Sequence, residues 1–142
     1  RGRRGKAWAS PLAAHLYLSA SRQFSGGLAR LGGLSLVAGV AAAEALHGCG
    51  YPGVRLKWPN DLLVADRKLG GLLVEGGGEH AGPVRAVIGL GVNVRMPETA
   101  AASIDQPWID LAGLQDKAPS RNRIAAGLLA HLVPEAPFAD ER

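Results

Sequence analysis

Four stretches of this 142-residue sequence carry side chains that could hold an anion or let a ligand approach the backbone. In LKWPNDLL (56–63), strand alternation puts Lys57 on the face opposite Val54, Leu56 and Trp58. A lysine between large apolar neighbours can be partly desolvated, and its charge then pairs more strongly with an anion. The same residues also read as an exposed strand lysine beside an ordinary Pro59-Asn60-Asp61 turn. In GLGVNV (89–94), Gly89, Gly91 and Asn93 share one strand face, where a ligand could lie on the backbone under the Asn93 amide; a glycine-softened core strand is equally consistent. The stretch lacks the third glycine and the following helix of a dinucleotide loop. In RKLGGLLVE (67–75), Gly70 and Gly71 permit close approach or a bulge. The opening RGRRGK sets arginines beside glycine-freed backbone N–H groups, which suits a phosphate or carboxylate but also a solvated basic end. Trp108 could stack on a base or pin a loop.

Charge separates some function classes. Net charge is +4, yet Arg1, Arg3, Arg4 and Lys6 supply four of the sixteen cations, leaving twelve against twelve carboxylates. Phosphate-gripping proteins spread their basic residues over a face or helix, and this chain does not. Cys49 is the only cysteine, and His15, His47, His80 and His131 are far apart in sequence, so neither a disulfide framework nor a zinc motif is expected. The apolar run Leu34–Leu46 contains Glu44 and is too short to span a bilayer. A cytoplasmic location, with no membrane contact, is expected.

These residues must be positioned by elements of two periods. Leu12, Ala14, Leu16 and Leu18 share a parity, as in a half-buried strand. SGGLARLGG reads as a turn or loose segment, and Leu34–Leu46 has helical spacing ended by HGCGYPG. Strands are then expected at Val54–Trp58, at LLV, at LGGLLVE and at VRAVIGLGVNV, joined by PND, ADRK and the loop GGGEHAGP. A weaker helix is expected over 121–133. The fold class is α+β, a mixed, largely antiparallel sheet backed by helices. Residues 1–133 form one partial domain, and 134–142 read as a linker or frayed tail.

RGRRGKAWASP, HLYLS, LSLVAGVAAAEAL, VRLKWPNDLLVADRKLGGLLVE and IGLGVNV, in this order and spacing, resemble the catalytic domain of biotin protein ligases, the biotin–[acetyl-CoA-carboxylase] ligase family. The resemblance implies an enzyme that makes biotinyl-5′-adenylate from biotin and ATP with Mg2+, then passes biotin to a lysine of a carboxylase carrier domain. It implies that Arg1, Gly2 and Arg3 belong to a basic loop closing over biotin and the adenylate, with Lys6 a further cation. Lys57 would contact the biotin carboxylate and α-phosphate, and Arg3 would share its catalytic role. Gly70, Gly71, Gly89 and Gly91 would line the biotin pocket, Asn93 would lie near the phosphates, and Trp108 on the adenine side. Members of the family often pair edge to edge, so a homodimer is among the expectations.

The sequence departs from the family pattern. The glycine before Arg1 and the upstream strand and helix that hold biotin's ring are missing, and no small barrel follows. A fragment of limited activity, without DNA binding, is therefore expected. A lipoate or octanoyl ligase of the same fold and a basic nucleic-acid module are the rival readings.

Overall fold

The computed structural model of the chain describes residues 2–78, 82–117 and 119–133. Arg1 and the 134–142 tail lie outside them. The five strands are β1 (Leu16–Phe24), β2 (Arg55–Lys57), β3 (Asp61–Val64), β4 (Arg67–Gly78) and β5 (Val84–Val92). The helices are α1 (Leu34–Gly48), the single turn α2 (Glu98–Ala101) and α3 (Arg121–Leu132). The sheet order is β1-β5-β4-β3-β2.

Every strand pair within the sheet is antiparallel, in line with the largely antiparallel sheet backed by helices expected from the sequence. Tight connections between β2, β3 and β4 reverse the chain each time. At the β3–β4 turn, Ala65 and Asp66 both take positive φ (48° and 60°), the backbone a two-residue hairpin needs. The only parallel pairing among the described residues is an isolated bridge between Lys68 and Trp108.

Several boundaries differ from expectation: Asp61, expected in the PND turn, opens β3, and Arg67 and Lys68, expected in the ADRK turn, open β4. Leu12 is 97% exposed and precedes β1, because Pro11 offers no N–H and the chain turns through Ala13 at φ 56°. Gly76–Gly78, expected in a loop, continue β4 and pair with Val84–Ala86. Ladder pairing uses backbone groups alone, so glycine composition does not exclude it.

One face of the sheet is covered. α1 contributes Leu34, Ala38, Ala41, Ala42, Ala45 and Leu46 to a core shared with Leu62, Leu72, Ala86, Ile88 and Leu90. Alanines let the helix sit close: a Cβ on Gly39 would lie 2.7 Å from the Leu56 side chain. α3 adds Ile124, Leu128 and Leu132 at four-residue spacing, and the Ser120 Oγ caps it by accepting from the Arg123 N–H at 3.3 Å. The opposite face, carrying Tyr17, Ser19, Gly71, Leu73, Gly89 and Gly91, bounds a cavity.

Candidate active site

The cavity floor follows from register. Tyr17 pairs with Gly91, Gly91 with Gly71, Gly71 with Asp61 and Asp61 with Lys57, so these five form one row across all five strands. Directly paired residues point to the same face. Two adjacent glycines in the middle of the row make a trough, and the Trp8 indole lies in it. A Cβ on Gly91 would come within 2.9 Å of Trp8 Cζ2, and one on Gly71 within 3.4 Å of Cζ3.

Trp8 separates two pockets. The first, about 260 Å3, is lined by Gly2, Arg3, Trp8, Tyr17, Ser19, Asn60, Asp61, Lys68 and the face of β4 and β5 around Gly71, Gly89 and Gly91. The second, about 430 Å3, is lined by Trp8, Lys68, Asn93, Met96, Gln106 and Trp108 among others. Trp8 and Lys68 are the residues common to both.

Lys68 reaches this seam through a bulge. Leu62 pairs with Gly70, but Leu63 pairs with Lys68, leaving Leu69 as an extra residue in β4. The insertion flips strand parity, so Leu69 is buried and Lys68 shares the cavity face with Gly71. Its ammonium lies 3.0 Å from Asp61 Oδ1 and 5.1 Å from the centre of the Trp8 ring. The motif pattern singles out neither Lys68 nor Trp8. The glycine pair just after Lys68, a bulge marker, is the one signal in the sequence that points to it.

The expected site residues divide into groups. Gly71, Gly89, Gly91, Gly2 and Arg3 line the first pocket, and Asn93 and Trp108 the second. Gly70 does not line the pocket: it is buried on the core side, where an added Cβ would strike the Gly91 carbonyl oxygen. Lys57 lies on the pocket face but is exposed at the edge strand, about 10 Å (two strand spacings) from Gly71. Trp58, expected among the apolar neighbours shielding it, is 73% exposed just past β2, so that shielding is lacking. Lys6 is exposed and borders neither pocket, while its carbonyl closes the basic loop by accepting from the Gly2 N–H at 2.7 Å. Arg1 lies outside the described residues.

Asn93 is a clasp. Its Nδ2 donates to the carbonyls of Lys68 (3.3 Å) and Ile109 (3.1 Å), tying β4 to the segment that carries Trp108. Next to it, the Val94 N–H donates to buried His15 Nδ1 at 3.0 Å. Burial holds the His15 imidazole below its ordinary value of 6.5, partly offset by its Ala14 backbone hydrogen bond and by the Asp110 charge. The unfolded chain therefore takes up a proton near 6.5 that the folded chain accepts only at lower pH, and stability falls as pH drops through that window. Urea midpoints should thus decline from about pH 7.5 to about pH 5.5. In His15→Asn the decline should be smaller; an equal decline would remove His15 as its source.

Comparison with known proteins accords with this geometry. The model of the biotin/lipoate A/B protein ligase family matches residues 1–93. The chain is 45% identical over 134 residues to the Escherichia coli bifunctional ligase/repressor BirA, covering 93% of this chain and 41% of that protein. It is 38% identical over 136 residues to the Mycobacterium tuberculosis biotin–[acetyl-CoA-carboxylase] ligase, covering 93% and 48%. The chain therefore spans less than half the length of these relatives. Among solved structures, it resembles the Aquifex aeolicus biotin protein ligase in complex with biotin and ATP, with TM-score 0.73 and 26% identity over 96% of this chain and 56% of that one. With a family model matching well over half its length, the chain belongs to the biotin/lipoate A/B protein ligase family.

Proposed function

We propose that the chain is the catalytic part of an ATP-dependent biotin–protein ligase. The observation that carries this reading is the pair of pockets meeting at Trp8 and Lys68. A two-substrate adenylation needs an acid and a nucleotide held end to end, with a cation where they meet. Biotin rather than lipoate is favoured by the name of the Mycobacterium tuberculosis relative, a biotin–[acetyl-CoA-carboxylase] ligase, and by the biotin and ATP in the Aquifex aeolicus complex.

In this reading the first pocket takes biotin, and the second takes ATP with its base toward Trp108. A biotin carboxylate oxygen attacks the α-phosphorus, the bond to the bridging oxygen breaks, and pyrophosphate leaves. Both reactants are anions, so the approach is repulsive. Lys68 at the seam and Arg3 at the first pocket offset that repulsion and stabilise charge building on the phosphoryl oxygens. The Mg2+ that the family resemblance implies would offset negative charge on the nucleotide as the two anions approach. The acceptor's lysine amine then attacks the acyl carbon of the adenylate, and AMP leaves. No enzyme nucleophile is required. In this reading the acceptor is a biotin carboxyl carrier domain; the acetyl-CoA carboxylase in the name of the Mycobacterium tuberculosis relative supports it.

The test is biotin-dependent ATP–pyrophosphate exchange by the chain, supplied with the upstream segment that the family pattern calls for. Exchange should appear with biotin, and Arg3→Ala should reduce it by ~10²-fold or more, as expected for loss of one preorganised charge contact. Exchange that depends on lipoate or octanoate instead would overturn the biotin assignment.

A further inference from the structure

Lys68 is held rigidly in its backbone and loosely in its side chain. Its N–H donates to the Pro107 carbonyl at 3.0 Å, and its own carbonyl accepts from Ile109 N–H at 2.9 Å and from Asn93 Nδ2 at 3.3 Å. Four side-chain torsions remain, and a lysine in an open site would spread over many rotamers. The ammonium must nevertheless stand at the seam between two pockets to serve both. Asp61 is the carboxylate that fixes it, 3.0 Å away on the pocket-1 side.

Asp61 is itself firmly mounted. It sits at the start of β3, next to Asn60, whose Nδ2 donates to the Leu72 carbonyl at 2.9 Å and whose own carbonyl accepts from Leu72 N–H at 2.9 Å. It lies directly opposite Gly71, so no side chain stands between it and the trough. The bulge at Leu69 brings Lys68 round to the same face. One strand start and one bulge thus converge on a single ion pair.

We infer that Asp61 is a positioning residue for adenylation, aiming the Lys68 ammonium at the junction of the acid and nucleotide pockets. The side chains of the pair are 19% and 29% exposed, so it contributes little to stability. Its contribution is to aim. A fixed carboxylate beside Lys68 also repels an incoming acid, so Asp61 weakens ground-state binding while keeping the cation where charge develops in the transition state. This inference rests on the adenylation reading above.

The experiment compares Asp61→Asn and Asp61→Glu with the unmodified sequence in biotin-dependent pyrophosphate exchange, each supplied with the same upstream segment as above. The asparagine variant should lose about tenfold or more in kcat, as misplaced catalytic groups do. Its KM for biotin should stay level or fall, and Asp61→Glu should recover part of the rate. A kcat in Asp61→Asn within about twofold of the unmodified chain, or a raised KM at unchanged kcat, would overturn the inference. A second readout needs no activity: the NMR correlation of the Lys68 ammonium should be visible in the unmodified chain and lost in Asp61→Asn. A signal indifferent to the substitution would also overturn it. If exchange is absent throughout but the ammonium signal depends on Asp61, the adenylation reading fails and the positioning of Lys68 stands.

Discussion

Lys68→Ala should lower kcat/KM for biotin-dependent pyrophosphate exchange by about 10²–10³-fold, or roughly 2.7–4 kcal/mol, the loss typical of one preorganised contact to developing charge. Lys57→Ala should change the rate several-fold at most. Both lysines lie on the cavity face, and only position separates them. Lys68 borders both pockets, whereas Lys57 is exposed on the edge strand beyond Asp61. Water screens an exposed charge, so its attraction for a distant phosphate is weak. The assay is steady-state exchange with biotin and ATP varied separately. Equal losses in the two variants would move the seam toward Lys57 and sink the assignment of Lys68.

Gly70→Ala should destabilise the chain by ~1–3 kcal/mol. The added Cβ meets the Gly91 carbonyl oxygen and lies 3.4 Å from Val92 Cα, and these backbone atoms cannot rotate away. Relief requires β4 and β5 to separate along a nine-pair ladder. Against a typical total stability of ~5–15 kcal/mol, such a loss is a large fraction. Gly89→Ala is the control: its nearest neighbour is the Leu73 carbonyl oxygen at 3.5 Å, an ordinary contact. Thermal unfolding should show a clear drop for Gly70→Ala and almost none for Gly89→Ala. Matching midpoints would mean the strands part more easily than their register implies.

These two contrasts mark where the sequence could be read directly. Period-two alternation located β2, apolar runs bounded by turn residues located β3, β4 and β5, and helical spacing located α1, because each pattern is local to its own element. Glycine spacing was legible for the same reason: Gly89 and Gly91 share a parity, and both line the first pocket. Trp108 and Asn93 likewise border the second. Leu12 misled because parity counts side chains and ignores Pro11 and the turn that follows it.

Four things were settled only by the tertiary structure. Gly70 and Gly71 are adjacent in sequence, yet one faces the Gly91 backbone within the sheet and the other faces the trough. The Trp8 indole finds its seat only when two separate strands bring Gly71 and Gly91 together. The Asn93 amide is committed to the Lys68 and Ile109 carbonyls, partners 25 and 16 residues away. Lys68 changes face through one unpaired residue, Leu69. By itself the sequence determined the elements, the fold class and the family, since these depend on composition and spacing along the chain. Which lysine borders both pockets was decided by the bulge, because parity holds only while the ladder is unbroken and the break is a contact between strands.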